Sequence, residues 1–129
     1  MFAANQLFGI DFAFPNVCKT PAMVPVPFPD IGFAMAAIPV AVSILFNNAF
    51  AHNLATKIPL TVGDFPGVAL GVISNTVSSV SRRIFLNSYT TLLFGSPANR
   101  MCAGGPQNRT NTIGFCLLTG CTHISIFAG

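Results

Sequence analysis

The chain has 129 residues, of which 52% are hydrophobic and 7% charged, with a net charge of +3 and four cysteines. That length suits one domain with one core. An average soluble domain carries about 25% charged residues, so this scarcity of charge points to a surface covered by a partner or a membrane. Of the six cations only Arg82 and Arg83 are adjacent, and there is neither a basic stripe interleaved with aromatics nor a glycine-rich phosphate loop, which argues against nucleic-acid binding.

In chain order, residues 1–14 read as an N-terminal extension. "MFAANQLFGIDFAF" has no basic residue and carries Asp11, so it is not a signal peptide. Four cysteines without such a signal favour reduced thiols or a metal site over a disulfide framework. Residues 15–30 form a proline-rich strap. "KTPAMVPVPFPD" holds Pro21, Pro25, Pro27 and Pro29, and proline fixes φ and lacks an N–H. The segment is therefore expected to be extended, polyproline-like and unable to sit in a central strand. It suits a strap along another surface, with Met23, Val24, Val26 and Phe28 as contacts.

Residues 31–129 read as a β core. Ile31 to Thr56 has no charge, but Pro39 and Asn47-Asn48 break it, leaving less than the ~20 apolar residues of a spanning helix. Val40–Phe46 is expected to be a strand with Val40, Val42, Ile44 and Phe46 on one face. Asn47-Asn48 is its turn and Ala49–Leu54 its return. Val68–Arg83 is the one window long enough for a helix, and Gly71 with its β-branched residues opposes that. The device repeats at Tyr89–Phe94, with Gly95-Ser96 as turn and Pro97–Met101 returning. A truncated third copy, "HISIFAG", closes the chain at His123–Gly129. Three hairpin-like units that cannot bury their faces alone suggest pseudo-threefold packing around one core.

"FGSPANR" (Phe94–Arg100) resembles the "IGGKPAAR" hairpin repeat of PAAR proteins, with Asn99 in place of an alanine. The closer resemblance is to the PAAR-like branch with a "PIPY"-type motif. It rests on "NVCKTP" (Asn16–Pro21), "VPVPFPD" (Val24–Asp30), "NLATKIPLTVGDFPGVALGV" (Asn53–Val72) and the closing Gln107, Asn108 and Asn111. These motifs stand in family order over about Pro15–Gly129. The resemblance implies an all-β, conical or prism-shaped fold of short strands and hairpins. It implies a structural tip that docks on a trimeric VgrG-type spike of a type VI or related contractile injection system, with a separate effector as cargo and a target membrane as the surface contacted on delivery. The protein is then expected in the bacterial cytoplasm during assembly, and outside the cell or in the target afterwards. The repeated device would answer to the threefold repeat of the surface it docks on. Pro25, Val26, Pro27, Phe28 and Pro29 are the expected partner contacts.

Classical PAAR tips hold Zn²⁺ with His and Cys ligands, and zinc takes four in tetrahedral geometry. The candidates are Cys18, His52, Cys102, Cys116, Cys121 and His123. Cys121 and His123 lie two apart on an expected strand and so face one side. Cys102, in "MCAGG" where the classical His-Gly-Gly stands, joins them, with Cys18 as fourth. Against this, Ile124 and Ile126 mark the other side as buried, which turns His123 outward, and Cys116 in "IGFCLL" reads as a core residue. No catalytic constellation is visible. The three acids are far apart, and Asp64 in "VGDFPG" reads as a turn residue bonding its own backbone. A structural, non-enzymatic tip is the leading expectation, with a small membrane-inserting protein as the alternative.

Overall fold

Ten prolines and eleven glycines leave room for short strands only, and the structure, a computed structural model that describes residues 1–126, is all-β. Its strands are β1 (Gly9–Lys19), β2 (Pro25–Phe33), β3 (Leu45–Phe46), β4 (Ala49–Phe50), β5 (Lys57–Ile58), β6 (Thr61–Val62), β7 (Ser81–Arg82), β8 (Ser88–Leu93), β9 (Ser96–Ala98), β10 (Gly104–Gln107) and β11 (Thr112–Thr119). One 3-10 turn, Ala34–Ala36, is the only helical segment among the described residues. The Val68–Arg83 window is turns and bends, with Leu70, Asn75 and Ser78 at positive φ, until it enters β7 at Ser81. No helix among the described residues is long and apolar enough to cross a membrane.

Five strands form an antiparallel sheet in the order β10-β11-β1-β2-β6, and three two-stranded pairs, β3-β4, β5-β7 and β8-β9, complete the fold. The residues read as an N-terminal extension are integral to it. β1 is the middle strand of the large sheet, and residues 2–5 make bridges to Ser125, Arg100 and Ala51. The proline-rich segment is extended but is not a free strap: Pro25–Phe28 pairs with Asn16–Lys19 of β1. It tolerates its prolines because β6 reaches only Ile31 and Gly32, leaving the Pro25–Pro29 stretch with one neighbour, as at a sheet edge.

Both expected hairpins form, with shifted boundaries. In the first, Asn47 and Asn48 supply φ of 53° and 62° between β3 and β4, the pair of positive angles a tight hairpin turn requires. The expected strand over Val40–Phe46 shrinks to Leu45–Phe46, because residues 41–44 turn so that Ala41, not Val40 or Val42, enters the interior. In the second hairpin the turn is Phe94-Gly95, at 55° and 80°, not Gly95-Ser96. The third unit contributes Ile124 and Ile126, while its closing residues 127–129 lie outside the described residues. The three units meet in one apolar cluster: Ala41 and Ala51, Leu93 and Ala98, and Ile126 are buried together with Ala3, and Ile44, Phe46 and Ile124 pack against them. The N-terminal segment threads between them, since Ala3 N–H donates to Ile124 O and Ala4 N–H to Asn99 O, while His52 N–H donates to Ala4 O.

Candidate functional site

The five-stranded sheet is inside out. Along β1 the inward residues are Gly9, Asp11, Ala13, Asn16 and Cys18, and the outward ones include Phe12 and Phe14. Along β11 the inward residues are Thr112, Gly114, Cys116 and Thr119, whereas Ile113, Phe115, Leu117 and Leu118 face out. Register places Phe12 opposite both Phe115 and Ile31, and Ile10 opposite Leu118 and Phe33, so the outward side chains join across three strands. The exposed Pro25, Pro27 and Pro29 extend this face along β2, while Val26 and Phe28 are half-buried. A period-2 pattern normally buries its apolar side. Here the apolar side is open, and such patches mark interaction surfaces.

Beneath the face lies a polar hub built from the sequence motifs. Asn16 Nδ2 donates to Asp64 Oδ2 at 2.8 Å, and Asp64 also accepts from the Ser78 hydroxyl at 2.7 Å and the Ser78 N–H at 3.1 Å. Asn108 Nδ2 and Asn111 Nδ2 both donate to Asn16 Oδ1, and they reach on to Thr76 O and Val17 O. Asn111 Oδ1 in turn accepts from Ile73 N–H at 2.9 Å. The chemistry is that of loop support. Segments without ladder partners must still satisfy their backbone groups, and an amide side chain offers both donor and acceptor. Asp64, expected to bond its own turn, instead ties its loop to β1 and to Ser78. Cys18 sits within this hub, and a Cβ on Gly67 would come within 2.3 Å of Cys18 Cβ, so the loop is closed over the thiol. Burial first, then Asp64 and Asp30, push the Cys18 thiol up to about 11, which keeps it protonated and a poor nucleophile.

A second buried network escaped sequence reasoning. Arg83 binds Asp11 through Nε at 3.0 Å and Nη2 at 2.7 Å, and its Nη1 reaches His52 Nδ1 at 3.1 Å. Arginine only donates, so Nδ1 accepts and the His52 proton is on Nε2, which donates to Gln6 Oε1 at 3.1 Å. Gln6 Nε2 closes the relay on Met35 O and Ala37 O. Burial and then Arg83 hold His52 down to about 3, so it is neutral. The available signal was the Arg82-Arg83 pair itself: in a strand, adjacent cations face opposite ways, and Arg82 is exposed while Arg83 is buried. Asp30 is also buried. Burial raises it to about 7, Asp64 adding to the rise and the Thr61 hydroxyl opposing it.

The expected zinc ligands do not converge. Cys18 lies in the hub, and Cys102 is half-buried in a turn at φ 70°. Cys121 is buried and His123 exposed, in a bend instead of the expected strand, so the two do not share a side. Among the described residues no three His, Cys, Asp or Glu side chains are grouped to hold a metal ion. Cys116 is buried as expected, its thiol pushed up to about 12 chiefly by burial. All four cysteines are free. The space beside the Asp11–Arg83 pair has no room for a water. Two open surface depressions measure about 360 Å³ by Lys57 and Arg82 and about 420 Å³ by Leu7 and Phe50.

No curated protein and no solved structure matches the chain. The family model of the toxin PAAR-like domain matches residues 9–114, which run from the start of β1 into the first residues of β11 and include every residue of the hub. The chain thus belongs to the toxin PAAR-like domain family.

Proposed function

We propose that this protein is the structural tip of a contractile injection spike, seated on a trimeric VgrG-type protein and carrying effectors with it. Family membership supplies the coarser statement, a spike-associated, toxin-linked role of structural rather than enzymatic type. The observation that carries the finer one is the inverted sheet. A buried polar hub makes the β1–β2–β11 layer stiff, and its outward apolar side chains wait for a covering surface. Pro25, Pro27 and Pro29 belong to that contact; their backbone is already ordered, so docking costs less entropy. Phe28, half-buried against Gly67, and the half-buried Val26, opposite Cys18 in register, support it from within. The three units around the apolar cluster would present the threefold repeat that a trimer's end requires.

Co-expression with a trimeric VgrG-type spike tests this. One copy per trimer is expected on size-exclusion with light scattering. A chain carrying Ile113→Ser and Leu117→Ser, both more than half exposed on that face, should elute apart from the trimer while keeping its melting temperature. Absence of a complex with the unaltered chain, or a complex that tolerates both changes, would count against the reading.

A further inference from the structure

The charges of this chain are sorted by sign. Its three acids, Asp11, Asp30 and Asp64, are all buried, so no side-chain carboxylate reaches the surface. Of the cations, Arg83 alone is buried, in the one ion pair among the described residues. Three of the remaining five, Lys57, Arg82 and Arg109, line a single open cavity of about 360 Å³ with Thr110, Val80 and Pro106.

Their convergence is built into the backbone. Lys57 and Arg82 are direct cross-strand partners in β5-β7, with Ile58 and Ser81 turned inward beside them. Like charges directly opposite in an antiparallel pair are destabilising. Arg109 approaches from the turn after β10. Its backbone is left-handed, φ 66°, and its N–H donates to Val80 O at 2.8 Å. The preceding Asn108 is locked into the polar hub through its side chain. β10 itself lies tight against β7, where a Cβ on Gly105 would stand 2.1 Å from Arg82 O. Three cations on three fixed segments, with no carboxylate beside them, suit an anion of more than one charge.

We propose that this cavity binds a phosphoryl group. A phosphate monoester brings a charge of about −1.5 to −2 and three strong acceptor oxygens, which suits two guanidinium forks and an ammonium better than a single carboxylate does. The Thr110 hydroxyl adds a donor, and Val80 and Pro106 supply apolar walls. The cavity exceeds the size of inorganic phosphate, so the group belongs to a larger molecule, either a soluble phosphorylated compound or a lipid headgroup. Pro106 pairs with Ile113 of the open apolar face, so a bound headgroup would lie at the rim of that face.

Calorimetric titration with inorganic pyrophosphate, and co-sedimentation with phosphatidylglycerol-containing or purely phosphatidylcholine vesicles, test the assignment on the intact chain. Saturable pyrophosphate binding is expected, weakening as salt rises. Arg82→Gln and Arg109→Gln should each reduce it about ten- to a hundredfold, the range for loss of charged hydrogen bonds. Arg100→Gln, a surface cation outside the cavity, should change it less than about twofold if the site is local. Retention on phosphatidylglycerol vesicles that needs Arg82 and Arg109 identifies a headgroup as the source. Pyrophosphate binding without vesicle retention identifies a soluble phosphate. No saturable binding of either probe, or equal losses from Arg100→Gln and Arg109→Gln, would overturn the proposal. Arg82 and Arg109 are exposed and Arg100 is half-buried, and an unchanged melting temperature certifies the variants.

Discussion

The hairpin cluster and the large sheet solve the same problem in opposite ways. Around Ala3, Ala51, Leu93, Ala98 and Ile126 the interior is apolar and made mostly of alanines. Under the sheet the interior is asparagine, aspartate, threonine and arginine, and the phenylalanines and leucines are outside. The difference follows from what each region must satisfy. The hairpins and the N-terminal segment hydrogen-bond one another through their backbones, so their side chains can be small and apolar. The loops of residues 63–80 and 108–111 have little ladder beyond the pairing of residues 69–72 with β1, and Asn16, Asp64, Asn108 and Asn111 supply further partners. The hydrophobic excess of the sequence therefore does not lie mainly in a core: it is exposed on the hairpins and loops and on the outer face of a sheet whose inner face is polar.

The contrast breaks hardest at the ion pair. Asp11→Ala leaves Arg83 buried and uncompensated, which should cost about 3–5 kcal/mol in urea unfolding. Combining it with Arg83→Met should cost less than the sum of the two single changes, because the two groups share one network. Strictly additive losses would mean that the pair does not hold the sheet's interior.

Acid should separate two buried groups under the sheet. Asp30 is raised from its ordinary 3.8 to about 7, so its contribution is full below about pH 4 and is lost as pH climbs to 7. His52 is lowered from 6.5 to about 3, so its contribution is full above about pH 6.5 and is lost as pH falls toward 3. Between pH 4 and 6.5 the two slopes oppose each other, each integrating to at most about 4 kcal/mol. Compared with the unaltered chain, Asp30→Asn should make melting temperature fall more steeply on acidification and should raise it at pH 8. His52→Gln, which can still accept from Arg83 and donate to Gln6, should tilt the profile the other way. Parallel profiles for all three proteins would remove both groups from the account.

How far these features could be read in advance depended on whether they are local. The Asn47-Asn48 turn, the all-β class and the buried Cys116 follow from short-range rules. The motif residues Asn16, Asp64, Asn108 and Asn111 were visible as a family pattern, but their meeting point was not, because Asn16 and Asn111 are 95 residues apart. The Asp11–Arg83–His52 relay was hidden for the same reason, its members spanning 72 and 31 residues. The alternation in β1 and β11 was present in the letters, but a period-2 pattern does not say which side is covered. The expected zinc ligands were read as one side of a strand, whereas residues 121–123 bend and the candidates are not grouped among the described residues.

In the hairpin cluster the test is volume. Ala98 is fully buried, pairs with Ser88 and bridges to Asn53. Ala98→Leu should cost about 1–3 kcal/mol by overpacking, read as a lower melting temperature, whereas tolerance of the larger side chain would show that the alanine interior is loose.

The smallest expected effect carries the most weight for the outer face. Ile113 and Leu117 are 59% and 57% exposed on β11. In a conventional sheet, residues of this type would lie in the core, and truncation would cost about 2–5 kcal/mol. Here Ile113→Ser and Leu117→Ser should stay within about 0.5 kcal/mol of the unaltered chain, as surface changes do, and should make the free protein more soluble by interrupting its apolar patch. Serine at either position loses mostly side-chain area that water already reaches, and it keeps the β1–β11 backbone pairing. A loss of 2 kcal/mol or more would mean that the face is packed in the isolated chain, and with that the case for a partner covering it would fall.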